Sequence, residues 1–143
     1  MFQLLKSVEA FVEYREKGND RIFSVSAKGA ALKGNNGITD SYIYTAELTD
    51  LKKGTAYEYR TRTGNTVSGW MDFRTDDGGA FKAVIYPDSQ SAEETGRPMV
   101  AAKAYELNKD AALFISMGDL VDNGQDEYQW QAWMRSMKGI MDT

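Results

Sequence analysis

Ala56-Tyr57-Glu58-Tyr59-Arg60-Thr61-Arg62-Thr63 puts Tyr57 and Tyr59 on one parity and Glu58, Arg60 and Arg62 on the other. A period of two is that of a strand with one face toward a core and one toward water. The same texture recurs on both sides. Ala10 to Arg15 alternates apolar and charged residues and meets the turn cluster Gly18-Asn19-Asp20, after which Arg21 to Ser26 resumes extended structure. Gly29 to Gly37, rich in glycine and asparagine, reads as an exposed loop. Ser41 to Leu48 has the aromatic and β-branched content of a strand. On the other side Gly64-Asn65 turns the chain, and Trp70 to Thr75 is a last strand. Short strands at this spacing predict a β-sandwich over residues 1–77.

Asp76-Asp77-Gly78-Gly79 is short, polar and flexible, and marks a boundary. Over residues 78–143 the period changes to strand–helix alternation. Phe81 to Tyr86 is a strand running into Pro87-Asp88-Ser89-Gln90. Pro98 opens a helix, with Val100, Ala104 and Leu107 on one face. Ala111 to Ile115 is almost wholly apolar, as for a parallel strand covered on both faces. Gln125 to Met141 is amphipathic, with Trp130, Met134, Met137 and Met141 on one stripe. Packing against the sheet accounts for that stripe better than cofactor stacking does. A β-α-β-α run predicts two parallel strands joined by a right-handed crossover.

The bulk composition excludes several classes. With 143 residues and a net charge of −4, the chain offers no broad surface for nucleic acid or anionic membrane. No apolar run approaches the roughly 20 residues of a membrane helix. Met1 to Lys6 is too short and mixed for a secretory signal. Cysteine is absent, so disulfides and thiolate metal sites are excluded. Histidine is absent too, which removes the imidazole on which most hydrolytic centres depend.

The chemistry is concentrated in Ile115-Ser116-Met117-Gly118-Asp119-Leu120-Val121-Asp122-Asn123-Gly124, a strand that runs into acid. Asp119 follows the second parallel strand as Asp88 follows the first. On neighbouring strands about 5 Å apart the two carboxylates meet at the carboxyl edge of the sheet, where open α/β sheets bind ligands. At about 4 Å and an effective dielectric near 20 they repel by roughly 4 kcal/mol. A cation between them offsets that cost, as does protonation of one. A pair of divalent metals is the economical solution, with Asp119 bridging and Asp88 on one ion. Gly118 then lets the backbone approach the metal, and Gly124 permits the exit turn. The competing reading is that aspartates after strands cap the next helix or close Asx turns.

Two resemblances sharpen this. Leu48 to Tyr57 resembles the fibronectin type III segment that carries a tyrosine corner, with Lys53-Gly54 where that family often has proline-glycine. Gly118-Asp119-Leu120-Val121-Asp122-Asn123-Gly124 resembles the second signature block of the calcineurin-like metallophosphoesterases, GD-x-x-D-x-G. Asp88-Ser89-Gln90 sits where that superfamily has D-x-H. A sandwich ending in phrases like Leu51-to-Tyr59 and Phe73-Arg74-Thr75, followed by such blocks, resembles the purple acid phosphatase branch.

The resemblance implies a fold class: a fibronectin III-like β-sandwich, incomplete because the first strands before Ala10 are missing, then the start of an α/β metallophosphoesterase domain. It implies a parent that hydrolyses phosphomonoesters or diesters at two divalent ions (Mn, Zn or Fe). Asp119 matches the bridging ligand and Asp88 a ligand of the first metal. Gln90 stands in the place of a histidine, as a weaker ligand. Asp122 replaces the tyrosine of the purple enzymes, and in the wider superfamily orients a catalytic histidine. Asn123 is matched to a phosphate contact. The later blocks, GNH and GH-x-H, do not occur. The chain is therefore expected to be an internal fragment whose partner is the missing C-terminal part of the same domain, and to bind metal weakly and hydrolyse little alone. Relatives of this layout are mostly exported, which implies an extracytoplasmic or secreted parent. Two other readings compete: a non-catalytic sandwich module that binds a partner, and a phosphoaspartyl receiver. The last wants adjacent aspartates and a lysine near a later strand end, and neither is evident.

Overall fold

The structure is a computed structural model that describes residues 1–34, 40–88, 90 and 96–141. The chain divides into two compact units, Met1–Gly78 and Gly79–Thr143. No helix among the described residues is long and apolar enough to cross a membrane.

The first unit is all strand: β1 (Phe2–Leu4), β2 (Ala10–Glu16), β3 (Phe23–Leu32), β4 (Ser41–Thr45), β5 (Ala56–Thr63), β6 (Thr66–Val67) and β7 (Met71–Arg74). They form an antiparallel sheet in the order β1-β4-β3-β2-β5-β6, with β7 also against β5. The ten-residue β3 serves two neighbours in succession. Its first half pairs with β2, Ala10 opposite Ala27, and its second half with β4, Leu32 opposite Ser41. There the sheet curls into a β-sandwich, as strands do where they pass from one layer to the other.

Two expectations are corrected here. A strand does precede Ala10, because β1 pairs antiparallel with β4, Phe2 opposite Tyr44. Gly29 to Leu32 belongs to the second half of β3 and is not a loop; Lys33 and Gly34 lie outside the strands as expected, and 35 to 37 lie outside the described residues. The reason is on the facing strand. The Tyr44 ring lies over Gly29, where a β-carbon would stand 2.8 Å from it. Tyr44 cannot give way, since its hydroxyl accepts from Val8 N at 2.8 Å and donates to Val8 O at 2.7 Å. It stacks on Phe2 at 5.4 Å and joins Ala10 and Ala27 in a buried cluster.

The alternation of β5 sorts its residues as the sequence reading requires. Tyr59 pairs with Tyr14 and Met71, and Tyr57 with Phe73, along the inner face. Tyr57 is 4% exposed and stacks on Phe73 at 5.3 Å. Its hydroxyl accepts from Lys52 N at 2.9 Å, which closes a tyrosine corner. Thr75 is tied to the same corner, donating to Lys52 O at 2.6 Å and accepting from Thr55 N at 2.8 Å. Gly54 N donates to Asp76 O, and Gly78 N to Asp76 Oδ1. The chain that leaves β7 is thus fastened to the corner up to Gly78.

The outer face is a lattice of paired charge over aromatic rings. Glu13 accepts from Arg60 and Arg62, and Arg15 pairs with Glu58. The guanidiniums of Arg15 and Arg60 each lie 4.4 Å from the Trp70 ring centre, and that of Arg62 lies 4.3 Å from Phe11. The Glu13 side chain is only 12% exposed. Burial pushes its carboxyl up, but hydrogen bonds from Arg60 and Arg62 and their charges outweigh this and hold it below its ordinary 4.5. A carboxylate lowered on folding stabilises the fold above its unfolded pKa and loses that contribution as the pH falls through the folded value. Glu13→Gln leaves two half-buried arginines without a counter-charge. It is expected to cost about 2 kcal/mol near neutral pH and to flatten the acid side of the stability curve. Urea unfolding across pH checks this, and equal acid sensitivity in both proteins refutes it.

The second unit runs β8 (Ala83–Tyr86), α1 (Gly96–Leu107), β9 (Leu113–Ser116) and α2 (Glu127–Ser136). β8 and β9 pair in parallel. Ala101, Trp133, Met137 and Ile140 form its buried core, with Tyr86, Tyr105, Phe114, Leu120 and Val121 packed around them. Three expectations are corrected. On α1 the inward residues are Ala101 and Tyr105, while Val100 and Leu107 are 66% and 67% exposed. The small Ala101 lets the helix approach the core, a role the bulkier side chains cannot fill. The helix α2 ends at Ser136 and buries Trp133; of the expected stripe Met137, its C-cap, is buried with Ile140 beyond it, whereas Met134 and Met141 are exposed. Among the described residues the strands are covered on one face only. Tyr86 and Phe114 face the core, whereas Ile85, Leu113 and Ile115 on the other face are exposed.

Candidate metal centre

β8 and β9 match Tyr86 with Ser116 at their ends, and Met117 N donates to Tyr86 O at 2.9 Å, one step beyond the strands. Being parallel, both leave the sheet at one edge, β8 through Pro87-Asp88 and β9 through Met117-Gly118-Asp119. Asp88 and Asp119 therefore follow adjacent strand ends. Asp88, Gln90, Asp119, Asp122 and Asn123 are all exposed. Ser89 lies outside the described residues.

Each residue is held differently. Asp88 Oδ1 accepts from the backbone of Gln90 at 3.2 Å, an Asx turn, so one carboxylate oxygen has a local partner. It is Gln90's backbone, not its amide side chain, that meets Asp88 in this bond. Asp119 sits in the left-handed region at φ 42°, and Gly118 before it at φ 130°. Gly118 takes a conformation that only glycine adopts freely. Aspartate tolerates the left-handed region better than most residues, at a cost of order 1 kcal/mol. Asp119 and Asp122 make no hydrogen bond or ion pair among the described residues. Ser116 Oγ, at the end of β9, is buried without a partner among those residues.

Gly124 corrects an expectation. It does not need a positive φ, and a β-carbon there would meet nothing within 4 Å. The exit turn is closed by Asn123 instead, whose Oδ1 accepts from Gln125 N at 3.0 Å and whose backbone oxygen accepts from Asp126 N at 2.9 Å. Asp126 then caps α2 by accepting from Tyr128 N.

Two residues outside the predicted set fasten this loop to α2. Gln129 Oε1 accepts from Asn123 N at 3.0 Å, and Trp130 Nε1 donates to Gly124 O at 2.9 Å. A signal for the second existed, since a partly buried indole N–H needs an acceptor. A helical stripe does not disclose which backbone oxygen that is.

The donor set consists of hard oxygens, which suit divalent cations. Among the described residues no three Asp, Glu, His or Cys side chains assemble into a ligand cluster.

No curated protein matches the chain. The family model described as the purple acid phosphatase N-terminal domain matches residues 3–75, just over half of the 143. That span runs from β1 to the end of the sandwich and stops before the acidic edge. The chain belongs to the purple acid phosphatase N-terminal domain family.

Proposed function

We propose that this chain is the N-terminal part of a metal-dependent phosphoesterase, in which a fibronectin III-like sandwich precedes the beginning of a calcineurin-like catalytic domain. Family membership makes the parent a phosphatase-family protein. The observation that carries the finer reading is the pair of aspartates after adjacent parallel strands, one of them in a strained left-handed conformation with no partner among the described residues. Strain of this kind gathers at ligand-binding edges.

In this reading Asp119 and Asp88 hold two divalent ions, manganese, zinc or iron, and the Gln90 amide is an auxiliary donor. Bound there, such ions would supply Lewis-acid activation and charge stabilisation for hydrolysis of a phosphomonoester or diester. Gly118 keeps the main chain clear of that space, and Asp119 is exposed just beyond the strand end. Asp122 orients a proton-carrying group from elsewhere in the parent, and Asn123 contacts a phosphoryl oxygen through its amide nitrogen, since its oxygen is bonded to Gln125. The exposed face of Ile85, Leu113 and Ile115 supports burial beneath a further segment of the same domain, which also completes the ligand set. The layout favours an extracytoplasmic parent.

The test is thermal unfolding with and without manganese or zinc. At ten times its dissociation constant a metal stabilises by about 1.4 kcal/mol, which raises the melting point of the wild type by several degrees. Asp119→Ala is expected to abolish that shift. Identical metal responses in the two proteins refute the reading and favour a non-catalytic module.

A further inference from the structure

We propose that Asn123 is a site of spontaneous deamidation, with the Gly124 backbone nitrogen as the attacking atom. The inference needs no metal and stands apart from the phosphoesterase reading. The nucleophile is open. Gly124 is exposed, nothing lies within 4 Å of where its side chain would begin, and its N–H makes no hydrogen bond among the described residues. The electrophile is polarised. Asn123 Oδ1 accepts from Gln125 N at 3.0 Å, a donor aimed where negative charge develops when Cγ is attacked.

The flanks are fixed as well. Asn123 N donates to Gln129 Oε1, Asn123 O accepts from Asp126 N, and Gly124 O accepts from the Trp130 indole. These bonds hold the loop in one arrangement, from which, in this proposal, the Gly124 nitrogen reaches Asn123 Cγ, which lowers the entropic part of the barrier. Both residues face water, which supplies the base and the second reactant.

In the first step solvent base takes the Gly124 amide proton, and the nitrogen adds to Asn123 Cγ. Nδ2 takes a proton from water as its bond to Cγ breaks, ammonia leaves, and a five-membered succinimide remains. Water then opens the ring. Addition at Cγ restores the normal main chain and leaves aspartate; addition at the main-chain carbonyl leaves isoaspartate. The sum is amide plus water to acid plus ammonia, with no change of oxidation state. Either product adds a negative charge beside Asp122, and isoaspartate lengthens the loop backbone by one methylene. The acidic loop therefore changes charge with age.

The experiment incubates the full chain in mildly alkaline buffer and maps its peptides by mass, with the Asn123 peptide resolved from that containing Asn36-Gly37. A synthetic peptide of residues 118–130 runs in parallel. The expected result is conversion of Asn123 to aspartyl and isoaspartyl forms at least as fast as in the peptide. Gly124→Val, which crowds the nucleophile, slows it. Gln125→Pro, which lacks the donating N–H, slows it roughly tenfold, the low end of the cost of losing such a donor. Conversion slower in the folded chain than in the peptide overturns the proposal, as does an unchanged rate in Gln125→Pro.

Discussion

Trp133→Ala is expected to unfold the second unit. The indole is 4% exposed and sits at the centre of the cluster with Ala101, Met137 and Ile140, against Tyr86 and Phe114 of the two strands. Truncating a buried tryptophan typically costs about 3–5 kcal/mol, part lost transfer energy and part cavity. A unit of 65 residues (79 to 143) lies at the lower end of domain stability, near 5 kcal/mol. A two-stranded sheet has no other layer to fall back on. Hydrogen exchange should show the amide of Met117, which bonds Tyr86 O, losing protection together with those of α2. Protection of β9 at the wild-type level would mean that the core is built around something other than Trp133.

Tyr57 in the sandwich allows a finer dissection, because its ring and its hydroxyl do separate work. The ring fills the inner face between Tyr14 and Phe73, and the hydroxyl caps Lys52 N. Tyr57→Phe keeps the ring and orphans a part-buried N–H, at an expected cost of about 1–2 kcal/mol. Tyr57→Ala adds the cavity, for a total of about 4 kcal/mol. The corner also holds the segment Thr75 to Gly78, so the phenylalanine variant should raise exchange at Gly54 and Gly78. Urea denaturation of both variants gives the two increments. If Tyr57→Phe proves as stable as the wild type, the corner hydrogen bond contributes nothing.

What the sequence disclosed follows from which residues leave a periodic trace. Tyr57 and Tyr59 alternate with Glu58, Arg60 and Arg62, so β5 could be read directly with both its faces. Gly29 to Leu32 could not, because glycine and alanine carry no strand signal of their own. What makes them a strand is the Tyr44 ring on the facing strand. The faces of α1 went wrong for a related reason: an inward alanine is quieter than an outward valine or leucine, and burial depends on closeness of approach as much as on size. At the candidate centre, the order of strand, glycine and aspartate was legible, and so was the shared edge of two parallel strands. The backbone sign at Asp119 was not, nor was the fastening of the loop by Gln129 and Trp130. Those depend on contacts between side chain and main chain that have no period.

The shared strand β3 has a kinetic consequence. Its first half is a neighbour of β2 and its second half of β4, so among the described residues the hydrogen-bonded ladder from the β1-β4 pair to the β2-β5-β6-β7 group runs through it. The partners are far apart along the chain: Tyr14 of β2 opposes Tyr59 of β5, and Phe2 of β1 opposes Tyr44 of β4. Closing such loops costs entropy before any pairing returns it, which places this unit among slow folders. Neither group can close off its edge until β3 has joined both, so partial assemblies stay open to wrong pairings. The ten residues Phe23 to Leu32 are accordingly the clasp of the sandwich, and the step that fixes their register commits the whole unit to its fold.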